Sequence, residues 1–218
     1  MFEKYKREII IISSVIIIPL ILIALYYIFR SPVENRPSKN GNMPFINIQG
    51  KDVEAINNYI SEIYKTYGKE KNTKLSFTTS TYKNIVSVLV TIDEYKKETN
   101  EYIKKFMSFN VKKDGTFVDK EELSSMFGYE LEEVVEKVEK KLDFYYQDEI
   151  NKEYVDKYEC DFNCYLTYAR GINNILDEIS VVIENGKLVI YINLSKDDIN
   201  GDKEYFDGLK DPYKLILE

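Results

Sequence analysis

From Ile9 to Phe29 the chain is apolar without a charged residue, bounded by Glu8 and Arg30, and beyond Arg30 apolar and polar positions alternate in short periods. The 21 positions of the apolar stretch, at about 1.5 Å per helical residue, match roughly the 30 Å of a bilayer's hydrocarbon core. A single transmembrane helix is therefore expected over 9–29. Tyr26, Tyr27, Phe29 and Arg30 stand where a cleaved signal peptide carries small residues, which favours an uncleaved anchor. These rings, with Phe2 and Tyr5 at the other end, suit the two bilayer interfaces, and Pro19 is compatible with a kinked span. The expected organisation is a cytoplasmic tail over 1–8, the span over 9–29, a flexible tether over 30–43 and one folded domain over 44–218. The tether is read from Pro32, Pro37, Ser38 and Gly41 among polar residues with no apolar period.

Within the domain, Val53, Ile56, Tyr59, Ile60, Ile63, Tyr64 and Tyr67 recur at helical spacing, predicting a helix from Lys51 to Tyr67 that stops at Gly68. Leu75 to Ile92 is rich in β-branched and aromatic residues and predicts two strands turning at Tyr82-Lys83-Asn84. A third strand is expected over Tyr102 to Val111, then a hairpin turn at Asp114-Gly115 before Thr116 to Val118. Asp119 is placed to cap a short helix through Phe127. The longest helix is expected from near Tyr129, with Leu131, Val134, Val135, Val138, Leu142 and Tyr145 as its apolar stripe. A weaker helix over Tyr165 to Glu178 precedes strands at Ile179 to Glu184 and Lys187 to Leu194, joined by Asn185-Gly186. Tyr213 to Leu217 is expected as a last edge strand. The fold class is thus α+β, an antiparallel sheet packed with two or three helices behind a single N-terminal transmembrane helix.

Charge orients the chain. Lys4, Lys6 and Arg7 precede the span on a short tail, while Arg30, Arg36 and Lys39 are spread after it, which favours a cytoplasmic N-terminus and a domain outside. Setting Lys4, Lys6, Arg7 and Arg30 aside from 30 basic residues, and Glu3 and Glu8 from 37 acidic ones, leaves 26 and 35, a net charge of −9. That balance disfavours nucleic acid and anionic lipid as partners and permits a cationic protein. Abundant Ile, Lys, Asn and Tyr beside three alanines point to an AT-rich, bacterial source.

With no histidine in the chain, Ser-His-Asp, Cys-His and His-ligated metal hydrolases are excluded. No catalytic motif is present, and no cofactor is expected. Two segments come near an EF-hand loop. In Lys196 to Asp207, Asp198, Asn200, Gly201 and Asp207 fall in register, but Lys196 occupies the first ligand place. In Asn110 to Glu121, Asp114, Gly115, Phe117 and Glu121 are in register, but Lys112 stands at a ligand position. An acidic loop and a hairpin turn account for them more simply. Cys160 and Cys164 enclose a three-residue loop and, in an exported domain, read as a structural disulfide.

Several segments carry a family resemblance: Ala55 to Ile60, Ile85-Val86-Ser87-Val88, Ser108 to Thr116, Glu122-Leu123, Met126-Phe127 and the Ile183 to Asn193 hairpin. In this order they resemble the extracytoplasmic domains of RsiV-type anti-sigma factors and PdaC-type cell-wall deacetylases, over about residues 44 to 195. The chain departs where those domains carry a Gly-Gly-Ala-His-Gly-like stretch and Asp93 to Asn100 stands instead. Eight residues before the span are too few for a sigma-binding domain, and no deacetylase module follows. The resemblance implies an exported α+β domain that binds a cell-wall-related ligand or protein.

The leading expectation is a non-catalytic binding or sensor module held at the cell membrane by one span, its partner an envelope protein or cell-wall ligand. A structural or assembly subunit using the 19 tyrosines at its surface comes second. A carboxylate-dependent wall hydrolase comes third.

Overall fold

The computed structural model describes residues 17–23, 30–39, 41–70, 72–97, 100–143, 175–193 and 213–217. They form an α+β arrangement of antiparallel sheets and helices. Residues 17–23 are helical and exposed; the rest of the apolar stretch lies outside the described residues. Among the described residues no helix is long and apolar enough to cross a membrane.

The first departure from expectation comes immediately. In place of a flexible tether over 30–43, strands β1 (Val33–Ser38) and β2 (Gly41–Ile46) form a two-stranded hairpin. Pro37 and Pro44 hide it in the sequence, yet each strand of a two-stranded ribbon has an outer edge where a missing N–H costs nothing. The ribbon is fastened from the next element, α1 (Lys51–Tyr67). The Asn57 amide accepts from the Ile46 N–H at 2.8 Å and donates to the Ile46 carbonyl at 2.9 Å, as a neighbouring strand would. Tyr64 donates its hydroxyl to the Asn42 carbonyl at 2.9 Å.

Helix α1 has the predicted bounds. Val53, Ile56, Ile60, Ile63 and Tyr64 are buried at the spacing of one helical face, whereas Tyr59, placed on the same stripe by sequence, is 55% exposed at its margin. Burial pushes the Tyr64 hydroxyl up to about 12.

Beneath α1 lies a three-stranded meander of β3 (Thr73–Tyr82), β4 (Ile85–Lys96) and β5 (Glu101–Lys112). The turn between β3 and β4 falls at Lys83-Asn84, with Lys83 at φ +54°. β4 is covered on both faces, which explains its nearly continuous apolar run. Val86, Val88, Val90 and Ile92 meet α1 together with Leu75, Phe109 and Val111. Ile85 and Leu89 point the other way, toward the second half of the domain.

After β5, the Asp114 carboxylate accepts from the Thr116 N–H at 3.0 Å and the chain turns through Gly115 at φ +89°. A Cβ there would lie 2.1 Å from the Gln49 carbonyl oxygen, so only glycine fits. Asp119 caps α2 (Lys120–Ser125) by accepting from the Glu122 N–H at 2.8 Å. Helix α3 (Leu131–Asp143) buries Val134 and Val138, as its stripe predicts. Its described part spans 13 residues against 17 for α1, and Tyr145 lies outside the described residues. Of the weak helix over Tyr165 to Glu178, only the short 3-10 turn Ile175–Glu178 is described.

The second sheet has the order β6 (Ile179–Glu184), β7 (Lys187–Ile192), β8 (Lys214–Leu217). One of its faces packs on α2 and α3 through Ile179, Val181, Ile183, Leu188 and Ile190. β6 meets the meander with its free edge. The Val181 and Ile183 backbone groups that β7 leaves unpaired are taken up by side chains of the meander's second face. Ser108 accepts from the Val181 N–H at 3.1 Å, Asn110 donates to the Val181 carbonyl at 2.9 Å, and Ser87 accepts from the Ile183 N–H at 3.3 Å. Ser80 donates to the Ile183 carbonyl. These buried and half-buried hydroxyls and this buried amide do for β6 what a fourth strand would do.

Candidate functional site

The Asn185-Gly186 turn adopts φ +51° and +76°, the left-handed pair that a two-residue hairpin requires. It fixes the register Ser180↔Tyr191, Val182↔Val189 and Glu184↔Lys187, which puts Glu184 and Tyr191 on the face turned toward the meander. β8 then sets Lys214 directly opposite Tyr191. The Tyr191 hydroxyl donates to Glu184 Oε1 at 2.6 Å, and Lys214 Nζ lies 2.6 Å from Glu184 Oε2. Three strands thus contribute one half-buried polar group apiece to a single cluster.

A crevice of about 390 Å³ opens between this cluster and the meander. Leu89 and Val182 supply apolar lining, while Thr78 and Ser80 of β3 line it together with Glu184 and Tyr191, the Ser80 hydroxyl donating to the Ile183 carbonyl. Burial raises the Tyr191 pKa, and the bond to Glu184 adds to it, so the phenol keeps its proton near neutral pH. Burial works against the Lys214 ammonium. Its hydrogen bonds to Glu184 and Tyr191 outweigh that, and its pKa lies above the ordinary lysine value. The protonated phenol and the charged ammonium both act as hydrogen-bond donors to the Glu184 carboxylate. Hydroxyls, a carboxylate, an ammonium and an aromatic ring over an apolar floor are the groups that orient a bound polar ligand.

Two larger crevices flank this one. The larger of the two, about 1140 Å³, lies between the hairpin and the start of α1, and Glu54 is the one carboxylate among its described lining residues. The other, about 830 Å³, holds Glu70 and Asp93 near the start of β3.

The described residues that line the central crevice include none of the cysteines or loop carboxylates named from the sequence, but do include Ser87, Ile183, Glu184, Asn185 and Tyr191 from the segments that carry the resemblance and the predicted hairpin. Cys160 and Cys164 lie outside the described residues, as does the loop from Lys196 to Asp207. The Asn110 to Glu121 segment is not a loop around an ion: Asn110 and Lys112 belong to β5, Phe117 bridges to Val111, and Lys112 pairs with Glu122 at 2.6 Å. Among the described residues no three His, Cys, Asp or Glu side chains come together as a metal site. Of Asp93 to Asn100, where the resembled family carries its Gly-rich stretch, Asp93 to Lys96 form the end of β4, and Glu98 and Thr99 lie outside the described residues. Glu184 and Tyr191 were accessible to sequence reasoning, because the Asn-Gly turn and a period of two already put them on one face. Lys214 was not, since the chain between β7 and β8 says nothing of where the last strand docks. Comparison with protein-family models, with characterised proteins and with solved structures gives no match for this chain.

Proposed function

We propose that the chain is a membrane-anchored, extracytoplasmic binding or sensor module of the bacterial envelope, with its N-terminus in the cytoplasm. The observation that supports the reading is the central crevice, whose ionisable groups Glu184, Tyr191 and Lys214 bond to one another beside an apolar floor, an arrangement suited to recognising a polar ligand. The apolar stretch from Ile9 to Phe29 supports the anchor, and the order of motifs that resembles RsiV-type and PdaC-type domains supports a wall-related ligand or protein. A wall-polymer hydrolase would need two converging carboxylates. Among the described lining residues the crevice beside α1 offers one carboxylate, Glu54, and the central crevice one, Glu184, already bound by Tyr191 and Lys214. That favours binding over hydrolysis in those two crevices; Glu70 and Asp93 come together only in the crevice near the start of β3.

Protease added to intact cells that express the full-length chain should remove the domain after Arg30; survival of the domain until the envelope is opened overturns the placement. Envelope extract passed over the full-length chain in detergent micelles should leave bound material that the Tyr191→Phe/Lys214→Ala double variant fails to retain. Equal retention by both proteins overturns the crevice as the binding site.

A further inference from the structure

β3 is an edge strand: it pairs with β4 on one side, and no described strand pairs with the other. The two-residue turn at Lys83-Asn84 makes Tyr82, Ser80 and Thr78 the residues that bond to β4, so the backbone groups of Phe77, Thr79 and Thr81 point outward. Toward its start the edge is partly closed, where Gly41 of β2 packs on the Leu75 carbonyl. From Phe77 to Thr81 no described strand covers it, and Thr78, Thr79 and Thr81 are exposed. Natural edges of this length are ordinarily blunted by lysine, proline or a bulge, yet this ten-residue strand carries only Lys74, near its beginning.

All three crevices border this one strand. The flanking pair touch Thr73 to Ser76 and Thr81, and the central one touches Thr78 to Ser80. Thr78 and Ser80 face the second sheet, whereas Thr81 lies on the α1 side. A strand added along β3 would therefore turn its alternate side chains into cavities on opposite faces.

The charge along this track reverses that of the molecule. The chain carries −7 overall, but the lining of the three crevices holds seven cationic side chains against four carboxylates. Lys39, Lys69 and Lys74 stand at one end, and Lys51 and Lys113 at the other. Even with Arg30 engaged by Glu34 at 2.9 Å, cations remain in excess. A second copy pairing β3 against β3 would bring these two cationic ends together, which disfavours self-association. An anionic glycan would satisfy the lysines but not the outward amides and carbonyls, whose spacing only another strand matches.

We propose that the outer edge of β3, from Phe77 to Thr81, binds an extended acidic segment of an envelope protein by strand addition. The inference rests on the reading of the chain as an envelope binding module and names the partner of its central crevice.

The test uses the full-length chain in detergent micelles and a fluorescent ten-residue peptide alternating threonine with glutamate, read by anisotropy. Its lysine counterpart should bind at least about tenfold more weakly. Thr79→Pro removes an outward N–H that β4 does not use, so it should weaken the acidic peptide about tenfold while leaving the thermal midpoint nearly unchanged. Lys74→Glu/Lys113→Glu, which leaves the backbone alone, should narrow or invert the preference between the two peptides. Equal affinity for the two peptides, or full affinity in a folded Thr79→Pro protein, overturns the proposal. Displacement by dextran sulfate with no effect of Thr79→Pro would assign the track to a polyanion instead. A dimer that Thr79→Pro abolishes would assign it to a second copy. If Thr79→Pro is silent while outside protease and the Tyr191/Lys214 dependence behave as expected, strand addition fails and the module reading stands.

Discussion

The two faces of the meander are both buried but are built from different chemistry. Toward α1, Val86, Val88, Val90, Ile92 and Phe109 make a dry contact with Ile56, Ile60 and Ile63, and close packing does the holding. Toward β6, the same strands present Ser80, Ser87, Ser108 and Asn110 among Ile85, Leu89 and Phe106, and the contact is made largely by hydrogen bonds to a backbone edge. The first face is tolerant of exact direction, because apolar contact has none. The second fixes where β6 lies, because each serine or asparagine can reach only one backbone group. The crevice opens on the directional face.

The largest test of the contrast is Ile60→Ala on the dry face, which leaves a cavity under α1 and should cost about 3 kcal/mol by urea unfolding. Asn110→Ala on the second face should cost about 2 kcal/mol, since it orphans the buried Val181 carbonyl. A loss as large as that of Ile60→Ala would mean the polar face holds as strongly as the apolar one. Ser87→Ala should cost about 1 kcal/mol, and combined with Asn110→Ala the losses should not add, because both side chains hold the same strand edge.

Alkali provides a probe of the α1 side alone. Tyr64 binds its proton up to about 12 in the folded chain, above the ordinary tyrosine value of 10.0. Its stabilising contribution is therefore complete below pH 10 and is lost as the pH rises toward 12, because the unfolded chain gives up that proton first. Unfolding curves of Tyr64→Phe should show a shallower decline than the parent over this range. At the small end, Lys65→Ala removes an exposed pair with Glu62 and should change stability by less than about 0.5 kcal/mol.

Local signals foretold the elements whose causes are local. Helix α1 was legible because Ile56, Ile60 and Ile63 repeat on one face, and the β3–β4 and β6–β7 turns because Lys83-Asn84 and Asn185-Gly186 permit tight reversals. The β1–β2 hairpin was illegible, since what orders it is the Asn57 amide, eleven residues from Ile46 in sequence, and the Tyr64 hydroxyl, 22 from Asn42. Ser87 and Asn110 are polar residues inside strands, and only the arrival of β6 gives them their partners. The crevice shares that origin. Glu184 and Tyr191 follow from one hairpin, but Lys214 and the hydroxyls of β3 join them through packing of distant elements.

The hairpin that replaces the expected tether also decides how a pull would enter the domain. The chain arrives at Val33 and leaves from Ile46, which are partners at the open end of the same ribbon. Force applied at Arg30 would therefore peel the ribbon one pair at a time, as a zipper opens, and would not shear all pairs together. At that very end the Asn47 N–H donates to the Pro32 carbonyl at 2.8 Å, the Asn47 amide holds Glu34 at 2.7 Å, and Asn57 grips Ile46. Traction from the apolar segment would meet this clasp before it reached either sheet, so the domain's mechanical threshold is set by a handful of amides beside its point of entry.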